Sequence, residues 1–166
     1  MKTSAQGYTM VELVTVMVLL GILSAIMVPR MLSDPGMAGS AFRADILTAL
    51  RYAQKTAVSH RRVVWATLNN NSLILQIATT NPAATDAAGA CLGAPLPPPD
   101  NSSYSSTSAT ASYTTLPPPL ALHFQPNGEI TTDCTGATLA NQTIVVTAAN
   151  QNEPVINIVG VTGHVD

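Results

Sequence analysis

The chain has 166 residues, a formal net charge of −2 and only 10% charged side chains. That balance excludes the strongly basic surface of a dedicated nucleic-acid binder and the block of like charge that marks an acidic tail. Once an apolar segment near the amino terminus is set aside, roughly 140 residues remain, enough for one modest domain with its own core and too few for two.

Residues 1–7 carry one basic side chain, Lys2, and from Tyr8 to Val28 the only formal charge is Glu12. A helix over 8–28, at about 1.5 Å per residue, spans about 30 Å, the thickness of a bilayer's hydrocarbon core. An acid inside such a span costs about 2–3 kcal/mol at the bilayer centre, and so asks for a cationic partner. A cut after Gly7 would supply one, by freeing an α-amino group on Tyr8 that could meet the Glu12 carboxylate of a neighbouring subunit in a packed array. The competing readings are a plain signal anchor and a secretory signal peptide. The latter wants a shorter apolar core and a small-x-small cleavage site, which Leu23-Ser24-Ala25 supplies poorly.

Pro29 and then Asp34-Pro35-Gly36 interrupt any single continuous helix, because proline lacks the backbone donor. A second helix reads from about Ala38 to His60, so that 29–62 forms a helical continuation with a Pro/Gly break. Phe42, Ile46, Leu50, Ala53 and Ala57 recur at three- and four-residue steps as one stripe for a sheet to cover, with Arg43, Arg51, Gln54 and Lys55 opposite, facing water. The cations Arg51, Lys55, His60, Arg61 and Arg62 gather near the helix end. They could contact phosphate, but positive charge there also complements the helix dipole, which accounts for them without a ligand.

Residues 63–166 read as a β domain. Val63–Leu68 and Ser72–Ile77 alternate around an Asn69-Asn70-Asn71 turn; further strands fall at Leu120–Phe124, Thr143–Ala148 and Val155–Val161, with a short one near the carboxyl terminus. The fold class is α+β: a long amino-terminal helix of membrane-spanning and then amphipathic character, packed on an antiparallel sheet. Between the strands, 80–119 is an insertion rich in Pro, Ser and Thr, bracketed by two Pro-Pro-Pro runs. It reads as a surface excursion, an adhesive loop or a glycosylated segment. His60, His123 and His164 stand apart, and His123 in an alternating strand reads as a surface residue. No catalytic residue, metal ligand or cofactor is expected, and no enzyme.

The run Gly7-Tyr8-Thr9-Met10-Val11-Glu12 behind a short Lys-bearing leader resembles the class III signal of type IV pilins and type II secretion pseudopilins. The Ala49–Val58 helix, the Asn127-Gly128 turn after Phe124 and the terminal Thr162-Gly163-His164-Val165 resemble the GspH/FimT-like branch. Within it, the amino-terminal run with Pro29-Arg30 looks most like the MshC-type minor pilins of mannose-sensitive haemagglutinin pili. The resemblance implies a structural subunit near the initiating tip of a pilus or pseudopilus. Gly7 would be the residue after which prepilin peptidase cuts, Tyr8 the N-methylated terminus and Glu12 the assembly acid. The implied partners are prepilin peptidase, a major pilin and other minor pilins. The implied location is the bacterial inner membrane, single-pass with a periplasmic carboxyl-terminal domain, and then the filament; nucleic acid is not an expected partner. Cys91 and Cys134 would then lie where disulfides persist, and a bridge would tie the insertion to the sheet; two free thiols are the alternative, and zinc lacks a four-ligand set. Two rival functions remain: an adhesin using 80–119, and a DNA-uptake subunit using Arg51, Lys55, Arg61 and Arg62.

Overall fold

Apolar side chains at nearly every position leave α1 (Met10–Leu32) no polar face to turn to water. Every described side chain from Met10 to Met27 is exposed, and the segment is long and apolar enough to cross a membrane. Its few hydroxyls are satisfied within the helix: Thr15 Oγ1 donates to the carbonyls of Val11 (3.0 Å) and Glu12 (2.9 Å), and Ser24 Oγ to that of Leu20 (2.7 Å). Such back-bonding is what a hydrocarbon surrounding demands of a polar group. The structure, a computed structural model, describes residues 9–32, 35–100, 103–114 and 120–166. It comprises two compact units that divide between Asp34 and Pro35.

The break expected at Pro29 is not there: α1 continues through it to Leu32, and the next helix, α2 (Pro35–His60), begins at the second proline. Pro29 removes one backbone donor from a 23-residue helix whose other turns still close. Pro35 sits at the first position of a helix, where no intrahelical bond is lost. At the far end, Arg61 adopts φ 52° and the Arg62 N–H reaches back to the Ala57 carbonyl at 3.2 Å, a left-handed cap that stops α2.

The strands are β1 (Val64–Asn69), β2 (Ser72–Ala78), β3 (Gly93–Pro95), β4 (Tyr104–Ser105), β5 (Ala109–Tyr113), β6 (Leu120–Phe124), β7 (Ile130–Thr131), β8 (Asn141–Ala148), β9 (Gln151–Asn152), β10 (Ile156–Val159) and β11 (His164–Val165). Among the described residues they form two antiparallel sheets where one was expected. One runs β3-β2-β1-β6-β7, with β4 also on β2; the other runs β11-β10-β8-β5, with β9 on β8. β1 and β2 join through the two-residue Asn70-Asn71 turn, and β8 and β9 through Ala149-Asn150, where Ala149 (φ 49°) and Asn150 (φ 63°) take the left-handed conformation of a primed turn.

The α2 stripe lies in the core formed between the two sheets: Phe42, Ile46, Ala49, Leu50, Ala53 and Ala57 pack with Val64, Ala66, Leu122, Phe124, Ile144 and Val146. The polar face does not simply meet water. Arg43 Nε donates to the Pro154 carbonyl at 2.7 Å, and an Arg51 guanidinium N–H to that of Val165 at 3.2 Å, so two of its cations hold the chain around the second sheet.

The 80–119 segment is no plain surface excursion. Its Pro-Pro-Pro runs fall partly outside the described residues, but β5 within it alternates Ala109, Ala111 and Tyr113 inward with Thr110 and Ser112 outward and pairs along β8. Small and hydroxyl side chains concealed a period-two strand behind a low-complexity composition. Ala111→Asp should therefore destabilise the fold by about 3 kcal/mol or more, by burying a charge, while the adjacent Ser112→Asp changes it by no more than about 0.5 kcal/mol. Urea midpoints of the two variants test this; equal effects would contradict the alternation.

Candidate functional site

Two stretches carry chemistry, one in each unit. In the first, Gly7 and Tyr8 lie outside the described residues, and Thr9 caps α1. The Glu12 backbone N–H donates to Thr9 Oγ1 at 3.3 Å, and the Leu13 N–H to the Thr9 carbonyl at 3.2 Å. Thr at the cap with Glu three residues on is the pattern of a capping box. An acid in the first turn also meets the positive end of the helix dipole. Glu12 thus sits at the exposed start of an otherwise apolar helix.

In the second unit, strand register assembles a site that the sequence reading did not single out. Trp65 on β1 lies directly opposite Gln76 on β2 and His123 on β6, and His123 opposite Thr131 on β7. Residues opposed across an antiparallel pair share a face, so these four form one row across the sheet, on the face away from α2. Trp65 Nε1 donates to Gln76 Oε1 at 2.9 Å, and the Trp65 and His123 rings stack with centroids 6.2 Å apart and an interplanar angle of 26°. His123 is not the surface residue expected from alternation: it is 8% exposed, because a covering loop closes the outward face of its strand.

The cover is built from two acid-pinned loops. In one, Asp86 Oδ1 accepts the N–H groups of Ala88 and Ala90, both at 2.9 Å. In the other, Asp133 accepts the Thr135 N–H (2.9 Å), the Thr135 hydroxyl (2.7 Å), the Ala137 N–H (2.9 Å) and the Thr138 N–H (2.6 Å). A disulfide between Cys91 and Cys134, with Cα atoms 5.5 Å apart and 43 residues of separation, ties loop to loop. Gly93 lets β3 lie against the row, since a Cβ there would meet the Ile77 carbonyl and the Trp65 ring. Between row and cover lies a cleft of about 560 Å³.

Two titratable groups, His123 and Asp133, line the cleft. Burial pushes the His123 imidazole below its ordinary value; the Asp133 charge and a backbone hydrogen bond at Thr131 act against that shift without overcoming it. At Asp133, partial burial would raise the carboxyl, but hydrogen bonds from Ala137, Thr135 and Thr138 outweigh it and hold the group well below the usual range. Among the described residues no group of three or more His, Cys, Asp or Glu could hold a metal ion. The signals for this site were a lone tryptophan and a histidine on neighbouring strands and an Asp-Cys pair; what joins them is register, which no single strand reveals.

Residues 2–28 match the family model of the prokaryotic N-terminal methylation motif. The chain thus combines that motif on an apolar helix with an antiparallel β domain, the fold of type IV pilins. The crystal structure of the type IV minor pilin FimU of Pseudomonas aeruginosa strain PAO1 is similar over 76% of this chain and 90% of its own, at 18% identity and a TM-score of 0.51. A second crystal form of FimU gives 82%, 90%, 18% and 0.50. No curated protein matches the chain.

Two outcomes follow for the cleft. Replacing Cys91 and Cys134 by Ser should cost about 3–4 kcal/mol, as expected for a bridge closing a loop of this length, and reductant should lower the wild-type melting temperature and leave the variant's unchanged. For Asp133, whose carboxyl is depressed in the fold, the stabilisation is present above the ordinary value of 3.8 and is lost as pH falls through the lower folded value. Asp133→Asn should remove that acid-side slope from a denaturation series, and a persisting slope would assign it elsewhere.

Proposed function

We propose that this protein is a minor subunit of a type IV filament: its amino-terminal helix is held in the inner membrane and then extracted into the filament, leaving the β domain outside. The observation that carries the reading is the methylation motif over 2–28, set on a helix whose apolar side chains from Met10 to Met27 are exposed along their whole length. Such a surface needs lipid or other helices of its kind, and both are met in turn by a subunit that is first stored and then assembled.

The finer assignments follow from the same reading. Prepilin peptidase cuts after Gly7, and the new Tyr8 terminus is N-methylated. Glu12 pairs with the terminal amine of a neighbouring subunit, which registers each incoming chain against a major pilin or another minor pilin. The domain's likeness to FimU supports a place among minor pilins, and so near the initiating tip. The resemblance of the amino-terminal run to MshC-type sequences makes a mannose-sensitive haemagglutinin pilus the first filament to test. An uptake role resting on Arg51 is weakened by the bond that side chain makes to Val165.

Mass analysis of the amino-terminal peptide, from cells with and without prepilin peptidase, tests the processing. The expected chain begins at N-methylated Tyr8 only when the enzyme is present; retention of Met1 in both would leave a plain signal anchor. Glu12→Ala should leave that cleavage intact and lower recovery of the subunit in sheared filaments, whereas wild-type recovery would remove Glu12 from the registering role.

A further inference from the structure

The Trp65–His123 row and its cover have no part in the filament reading, yet they bring together features that a passive surface does not need. The His123 ring is 8% exposed, and its Nδ1 is buried with no hydrogen-bond partner among the described residues. A neutral imidazole can leave one ring nitrogen unpaired at moderate cost; an imidazolium carries two N–H donors, so the same position would bury an unpaired donor of a charged group.

The surroundings provide only partial compensation. The π face of Trp65 favours a cation, but the ring centroids are 6.2 Å apart, at the edge of useful range. The carboxylate of Asp133, on the connection between β7 and β8, lines the same cleft, but its two oxygens already accept four hydrogen bonds that shape their own loop. Asp86, on the other loop, is likewise turned into its own backbone. The nearest side chains on β1 and β2, Trp65 and Gln76, do not titrate, and α2 lies on the far side of the sheet. The backbone hydrogen bond at Thr131 favours the protonated ring without overcoming its burial. The second N–H of an imidazolium can then be satisfied by admitting water to the cleft or by drawing Asp133 out of its loop, and either loosens a wall that the disulfide ties to the opposite one.

We propose that Trp65, His123 and the disulfide-tied loops over them form a proton-operated latch, closed while the imidazole is neutral and opened when His123 takes up a proton. The sign follows from the burial of the ring: the unfolded or opened chain binds the proton at the ordinary value of 6.5 and the closed form only at lower pH, so closure is fully stable above 6.5 and weakens as pH falls below it. This window lies above the one assigned to Asp133, which begins below 3.8, so the two events separate on a pH axis.

The chain carries its own reporter, since Trp65 is its single tryptophan. The experiment uses the full chain in detergent micelles, titrated from about pH 8 to about pH 4, a range that brackets the ordinary histidine value. Trp65 emission, amide exchange across residues 84–93 and the NMR shifts of the His123 ring are followed together. The expected result is quenching and a red shift of Trp65 with one midpoint below 6.5. Exchange at 84–93 should rise severalfold at the same midpoint, and the His123 ring should titrate with both. His123→Phe, which keeps an aromatic stack without a titratable group, should abolish the transition, and His123→Gln serves if the Phe variant does not fold. A transition that persists in the folded variant overturns the latch. So does a wild-type ring that stays neutral to about pH 4, or one that titrates while 84–93 exchanges unchanged.

Discussion

The folded domain depends on β1 being covered on both faces over Val64–Ala66. Val64, Ala66 and Leu68 point into the core beneath α2, while Val63 and Trp65 point the other way into a smaller cluster with Ala78, Ala83 and Cys91. A central strand buried on both faces has to be covered twice, and the two covers are of different kinds. On one side an amphipathic helix brings a continuous apolar stripe and the second sheet completes the core. On the other no helix lies over the strand among the described residues, and two short loops form the roof. Such loops have little apolar area with which to hold themselves down. Acid-capped turns and one covalent bridge supply what packing does not.

Periodic elements were the legible part of this architecture. The α2 stripe, the β1–β2 hairpin and the strand at Leu120–Phe124 each announce themselves through a local repeat, and each lies where the repeat placed it. Three things were not legible. Pro29 reads as a stop, but a helix with every other turn formed absorbs one missing donor. β5 was masked by its own residues, because Ala, Thr and Ser give a weak alternation even when half of them are buried. His123 was misread because alternation within one strand cannot reveal that a segment more than thirty residues earlier in the chain will lie across its outer face.

The candidate sites divide in the same way. The amino-terminal segment is written in consecutive residues, so its motif could be read directly, and the structure adds the Thr9 cap that starts its helix. The cleft is written in residues 65, 76, 123 and 133, which meet only through strand register and the disulfide. Local chemistry reveals the first kind of site, whereas the second becomes visible only once strands have partners.

The Thr9 cap has a consequence for how subunits could find one another. With cleavage after Gly7, the mature chain would begin two residues before the first helical residue, Met10, and one before the Thr9 cap, so at most about 7 Å of chain would separate its terminal nitrogen from the helix. An amine on so short a lead sweeps a small volume, and its position is set almost wholly by where the helix stands along a growing bundle. Measuring that offset against a neighbour's carboxylate would turn axial position into binding energy. The amino terminus would then work as a ruler, accepting a helix seated at the right height and giving nothing to one a turn too high or too low.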